Sequence, residues 1–201
     1  MVGAQRLAFA DLIESCSPSQ LEVSSLCRGW RVRDVAGHVL WVAAQPKPSE
    51  SWRALRAPSP HRFIAREGIR YGHGSPSGLA ARLRISAPSR RQVPGLKPVG
   101  YLADTICHGL DVTVALGVEP LEVPPEAMGA ALAHYLGRDS FTGGRTRTRG
   151  LRLVCDDLGV SFGEGSDVTG PAHAILGAAV GRRALLSELA GPGLDELAAR
   201  P

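Results

Sequence analysis

The chain has 201 residues, enough for one large domain or for a larger domain with a small appendage. Hydrophobic residues make up 44% and aromatics only 5%, so a soluble globular core built mainly from Ala, Leu and Val is expected. No apolar run approaches the roughly 18 residues of a membrane span, and a net charge of +4 carried almost wholly by Arg does not by itself mark a nucleic-acid binder.

Met1 to Leu7 shows no basic region followed by an apolar stretch, so a cytoplasmic location is expected. The four cysteines, Cys16, Cys27, Cys107 and Cys155, form no C-x-x-C pair, which argues against a disulfide framework or a zinc ribbon.

The helical period predicts a first helix over Ala4–Ser15, followed by turn chemistry at Ser17-Pro-Ser. Ser24 to Trp30 reads as a connector. A second helix is predicted from Val32 to Ala44, stopped by Pro46, with Asp34 in its first turn and His38 toward its apolar side. From Pro46 to Gly74 the composition turns to Pro, Ser, Arg and Gly, with helix possible within Trp52–Arg70. Ser77–Ile85 is a short amphipathic helix capped by Ser75 or Ser77, and Pro88 and Pro94 bracket an irregular stretch. A longer helix follows over Val99–Leu116 and stops at Gly117. Another starts at Pro124-Pro125 and runs to about Leu136. The period then changes: Leu151, Leu153 and Val154 read as a strand, Gly159–Gly163 as its hairpin partner, and Pro171–Leu189 as a closing helix. The expected fold is therefore mainly α: a helical bundle over residues 1–142, then a small β-hairpin-plus-helix unit over 143–201.

The Val99–Leu116 helix carries the groups capable of chemistry. At 100° per residue, Asp104, Cys107, His108 and Asp111 fall on one stripe, opposite Leu102, Ala103, Ile106 and Leu110. Periodicity alone leaves two readings: a solvent face, the simpler one, or a polar stripe turned into a cleft. His38 also has two: a core histidine bonded to a neighbour such as Asp34, or a ligand. Joined to Asp104 and His108, it would make the three-ligand set of a catalytic zinc, which spacing allows without requiring. The arginine-rich run Arg145–Arg152 has no aromatic interleaving, so a solvated loop is expected there and nucleic acid is not the expected partner.

Cys27-Arg-Gly-Trp30-Arg-Val-Arg-Asp34-Val-Ala-Gly-His38-Val resembles the N-terminal signature of the mycothiol-dependent maleylpyruvate isomerase-like family, part of the DinB-like metal-binding four-helix bundles. Leu102-Ala-Asp104-Thr-Ile-Cys-His108-Gly-Leu-Asp111 through Gly117 is similar to its second signature. Asp157, Gly163-Glu-Gly165, Gly170-Pro-Ala172, Gly181-Arg182-Arg183 and Glu188–Gly193 follow in the family's order. The resemblance implies a DinB-like four-helix bundle with His38, Asp104 and His108 as ligands of a divalent metal, zinc before others. It also implies mycothiol as thiol cofactor, and a small, electrophilic, possibly acidic substrate. Asp104 stands where the isomerase pattern has Glu, one methylene longer, and Arg31 stands where a capping Ser or Thr is usual.

On that resemblance a metal-activated thiolate would add to a conjugated cis double bond and leave after rotation, as an isomerase, or stay attached, as an S-transferase. Asp111, and Asp34 beside His38, would support the ligands. Arg62, Arg66, Arg182 and Arg183 would meet the cofactor and an acidic substrate, with specificity residing in the stretch from Pro46 to Pro98. A noncatalytic metal-binding or ligand-sensing module of the same fold is the alternative. A monomer or homodimer is expected.

Overall fold

A computed structural model of the chain describes residues 1–44, 52, 56–89, 97–137 and 142–201. The helix stop assigned to Pro46 and the stretch around Pro94 lie outside the described residues. The chain divides into two compact units, Met1–Glu122 and Val123–Pro201.

The first unit is helical. Its elements are α1 (Val2–Ser15), α2 (Val32–Ala44), α3 (Pro60–Tyr71), α4 (Pro76–Ser86) and α5 (Pro98–Leu116), with a short 3-10 turn at Gln20–Glu22. Three of these helices start on proline, whose missing N–H costs nothing in the first turn and whose φ is already helical. Ser59 caps α3 by accepting from Arg62 N–H, and Ser75 caps α4 by accepting from Gly78 N–H at 3.2 Å. α2 lacks a capping hydroxyl, because Arg31 precedes it. The other half of a capping box survives: the Asp34 carboxylate accepts from Arg31 N–H at 3.0 Å and binds the Arg31 guanidinium through Nε at 3.0 Å.

Helices α1, α2, α4 and α5 enclose one core. Phe9 and Ile13 of α1, Val32, Val35 and Val39 of α2, Leu79 and Leu83 of α4, and Val112 of α5 are almost wholly buried in it. α3 lies along α2 at very close range. A Cβ on Gly37 would overlap the carbonyl oxygen of Gly68 and the backbone of Gly72, and a Cβ on Gly68 would sit 3.4 Å from His38 Cβ. Only hydrogen fits at this seam, which brings α3 against the segment of α2 that carries His38.

α5 is buried on nearly every face from Gly100 to Thr113. The simpler sequence reading, a solvent-facing polar stripe, is thereby corrected. His108 is 9% exposed and Asp111 not at all, so the stripe looks into the bundle.

The second unit comprises α6 (Pro125–Leu136), α7 (Gly144–Thr148), the strands β1 (Leu151–Cys155), β2 (Val160–Phe162) and β3 (Ser166–Gly170), then α8 (Ala172–Ala179), a 3-10 segment at Arg183–Glu188 and α9 (Leu194–Ala199). Three differences from the sequence reading appear here. α6 packs on α7 and α8, so the division falls at Glu122 rather than after residue 142. The hairpin is extended to a three-stranded sheet in the order β2-β1-β3, with β1 and β3 parallel and Leu153 opposite both Phe162 and Val168. The closing helix ends at Ala179, because Gly181 takes φ +90° and turns the chain into the 3-10 segment.

Among the described residues no helix is long and apolar enough to cross a membrane. Within the arginine-rich run, Arg147 donates to the carbonyls of Thr142, Ala179 and Pro201, and Arg152 pairs with Asp167 at 2.6–2.7 Å. These two cations therefore serve the fold of the unit.

Candidate metal centre

α2 and α5 face each other across the three groups that the two signatures supply. His38 Nε2 lies 3.3 Å from Asp104 Oδ1, and His108 Nε2 lies 3.5 Å from the same oxygen. The two imidazoles meet edge to face, with ring centroids 4.7 Å apart. One donor atom from each of the three residues falls within a 4.8 Å cluster. A tetrahedral zinc with bonds of 2.0–2.1 Å separates its ligand atoms by about 3.3 Å, so these edges have the size such an ion requires. Asp104, although shorter than Glu, reaches both rings.

The polar accounting points the same way. His38 Nδ1 and Asp104 Oδ2 are buried without a hydrogen-bond partner among the described residues, and atoms of this kind ordinarily find one. Burial opposes the charge on Asp104, but attraction to His38 and His108 and hydrogen bonds from both outweigh it. The carboxyl is held well below its usual range. Burial likewise opposes a charged His108, yet Asp104, followed by hydrogen bonds with Asp111 and Cys27, raises it well above an ordinary histidine. The acid and the imidazole thus compensate one another as a charged pair.

His108 is fixed from behind. Its Nδ1 lies 2.9 Å from Asp111 Oδ2, which leaves Nε2 turned toward Asp104 and His38. This is the carboxylate–histidine arrangement that sets tautomer and ring orientation in metal sites. Asp34, by contrast, is engaged with Arg31, and among the described residues it makes no hydrogen bond to His38, so the Asp34–His38 pairing expected as one reading is replaced by a helix cap. Cys27, His108 Nδ1 and Asp111 Oδ2 form a second close group. Both Cys27 Sγ and His108 Nδ1 stand 2.9 Å from one carboxylate oxygen, which is hydrogen-bond geometry.

Aromatic rings wall the histidines. Trp30 lies 5.2 Å from His38 and 6.1 Å from His108, while Trp41 lies 6.1 Å from His38 and from Phe63 of α3. Arg6 of α1 is 2% exposed, donates to Ser89 O and stacks 5.9 Å from the Tyr101 ring. None of Cys27, Trp30, Trp41, Phe63 or Arg6 was singled out by composition or period. For Cys27 and Trp30 a signal existed: they occupy the same short block as His38. Of the four arginines expected to meet ligands, Arg62 and Arg66 are exposed on α3, the helix that brings Phe63 and Gly68 to the site. Arg182 and Arg183 lie in the second unit and donate to that unit's own Val180 and Ala198 carbonyls.

Residues 2–109, more than half of the chain, match the family model described as the mycothiol maleylpyruvate isomerase N-terminal domain. The chain belongs to this family. The match covers α1 through most of α5, and so includes all three residues of the trio. Two solved structures share the fold of this family member along nearly its whole length: the mycothiol-dependent maleylpyruvate isomerase, at a TM-score of 0.52, and a point mutant of that enzyme, at 0.53. Each is 14% identical, covering 96% of this chain and 93% of the other. No curated protein matches the chain.

Proposed function

We propose that this family member is a divalent-metal-dependent, mycothiol-using isomerase or S-transferase acting on a small electrophilic substrate. The observation that carries the reading is the His38–Asp104–His108 trio, with edges of 3.3 and 3.5 Å and two buried polar atoms unpaired among the described residues. Two imidazoles and one carboxylate suit zinc among the common divalent ions. Family membership suggests mycothiol as the thiol, since the fold relatives are named for their dependence on it. A divalent ion bound here would lower the pKa of a thiol placed against it, so that the nucleophile is present at neutral pH.

The chain's own groups do the rest. His38 and His108 offer Nε2 and Asp104 offers Oδ1 to a common point. Asp111 holds the Nδ1 proton of His108 and so keeps the Nε2 lone pair directed at that point. Trp30 and Trp41 pack against the histidine rings, and Phe63 against Trp41, so the site has apolar walls in which electrostatic interactions are stronger than in water. Arg62 and Arg66, on the face of α3 left to solvent, are proposed to meet an acidic group of the substrate.

The test begins with elemental analysis of protein purified without chelators. About one ion per chain is expected, lost in His108→Ala. Turnover is then assayed with mycothiol and a panel of cis-unsaturated acids and other electrophiles. A wild-type chain that stays metal-free after reconstitution overturns the reading. A loaded chain inert across the panel points instead to a noncatalytic metal-binding module.

A further inference from the structure

Cys27 is one of the four cysteines, and it stands apart from the others in its surroundings. Cys16, Cys107 and Cys155 are buried, whereas Cys27 is half-buried in the loop before α2. That loop is closed on itself. Ser24 and Arg31 form a bridge, Ser25 N–H donates to Trp30 O at 2.8 Å, and Trp30 N–H donates to Cys27 O at 2.9 Å. The Ser25 hydroxyl accepts from Cys27 N–H at 3.2 Å. The same loop is pinned to α5 at one residue, because Leu26 N–H donates to Asp111 O at 3.2 Å. Backbone and side chain of Asp111 are therefore both held by consecutive residues, the second bond running from Cys27 Sγ to Asp111 Oδ2 at 2.9 Å.

The Asp111 oxygen that takes the Cys27 thiol proton is also the one beside His108 Nδ1. A carboxylate on a two-torsion side chain that accepts from one donor can pivot about it; a second donor on the same oxygen removes that freedom. We propose that Cys27 is a positioning residue for the metal centre: its S–H fixes the Asp111 carboxylate, which in turn fixes the His108 ring with Nε2 toward Asp104 and His38. The inference rests on the metal reading above but concerns a residue outside the ligand set, whose sulfur lies 2.9 Å from Asp111 Oδ2 and 3.7 Å from His108 Nδ1. Serine supplies a hydroxyl donor of nearly the same size and preserves the device, whereas alanine abolishes it.

Zinc affinity of Cys27→Ala and Cys27→Ser is measured by competition with a chromophoric chelator, and the His108 Nδ1 proton is followed by NMR in the metal-free proteins. Expected are a loss of about tenfold in affinity for the alanine variant, the lower end of what partners of ligating histidines contribute, and near wild-type affinity for serine. The Nδ1 proton is expected to exchange slowly in wild type and serine variant and faster in the alanine variant. Thermal midpoints of the metal-free proteins identify any general loss of fold. Wild-type affinity in Cys27→Ala, or a serine variant as weak as the alanine one, overturns the proposal. If wild type binds no zinc, the metal reading fails, and Nδ1 exchange alone decides the role of Cys27: equal rates in wild type and alanine variant overturn it.

Discussion

Asp111 has none of its surface exposed, and what compensates its carboxylate includes the Cys27 thiol and the His108 ring. Asp111→Asn exchanges an acceptor-only group for an amide that can turn its NH2 toward Nδ1. That swap favours the tautomer with the proton on Nε2, which cannot bind a metal. A loss of about 10–100-fold in zinc affinity is expected, read by chelator competition. The pH response of the centre has two opposite signs. In the metal-free chain Asp104 is depressed, so its stabilisation is present above its ordinary value of 3.8 and lost as pH falls through the lower folded value. His108 is raised, so its stabilisation is full below 6.5 and lost as pH rises through the higher folded value. Zinc competes with the His108 proton, and its stabilising effect should grow where the proton's fades. The increase in thermal midpoint on adding zinc is therefore expected to be larger at pH 8 than at pH 6, checked by calorimetry; an equal or reversed shift contradicts it. Cys155 gives a simpler expectation. Burial, then Asp157 and Asp156, push its thiol up to about 11, so it should resist thiol reagents at pH 8 until the chain unfolds, as mass spectrometry of labelled peptides would show.

At the scale of elements, the seam between α2 and α3 decides how closely α3 approaches His38. Gly37→Ala forces a methyl into backbone that has no flexible side chain to move aside, an overpacking that costs typically 1–3 kcal/mol. A lower urea midpoint and weakened zinc binding are expected together, because the displaced helix carries Gly68, where even an added Cβ would lie 3.4 Å from His38 Cβ. The elements themselves were largely legible. α2 and α5 fall within a residue of where the apolar period places them, and α5 ends at the glycine expected to stop it. β3 was hidden because Ser166-Asp-Val-Thr-Gly170 buries only Val168 and the terminal glycine, leaving no alternation to read. The break after Ala179 was hidden because a lone glycine in an apolar repeat looks the same whether tolerated or helix-ending. For the site, a spacing of four offered Asp104 and His108, and the family resemblance added His38. Burial of α5 on nearly every face could not be read from a wheel that shows polarity on one face, and it is burial that separates a site from a wet surface. Cys27 and Trp30 come from a loop that carries no period at all.

At the scale of the molecule, all members of the trio and their supports belong to the Met1–Glu122 unit. Zinc should therefore raise hydrogen-exchange protection in that unit and leave Val123–Pro201 nearly unchanged. Uniform protection of both units would show instead that they unfold as one. One feature of the first unit bears on which ions the proposed centre would accept. Asp104 and His108 share α5, one turn apart, whereas His38 comes from α2. Calcium takes about six to eight oxygen ligands, a set that two imidazoles and one carboxylate do not supply, while zinc takes nitrogen readily. Finer discrimination, among ions that accept nitrogen, would bear on the gap between α2 and α5, whose Val35, Val39 and Val112 are 0–1% exposed in a closed core. The bundle would thereby act as a caliper, with valine packing several residues from the donor atoms limiting how far the two sides of the site can part.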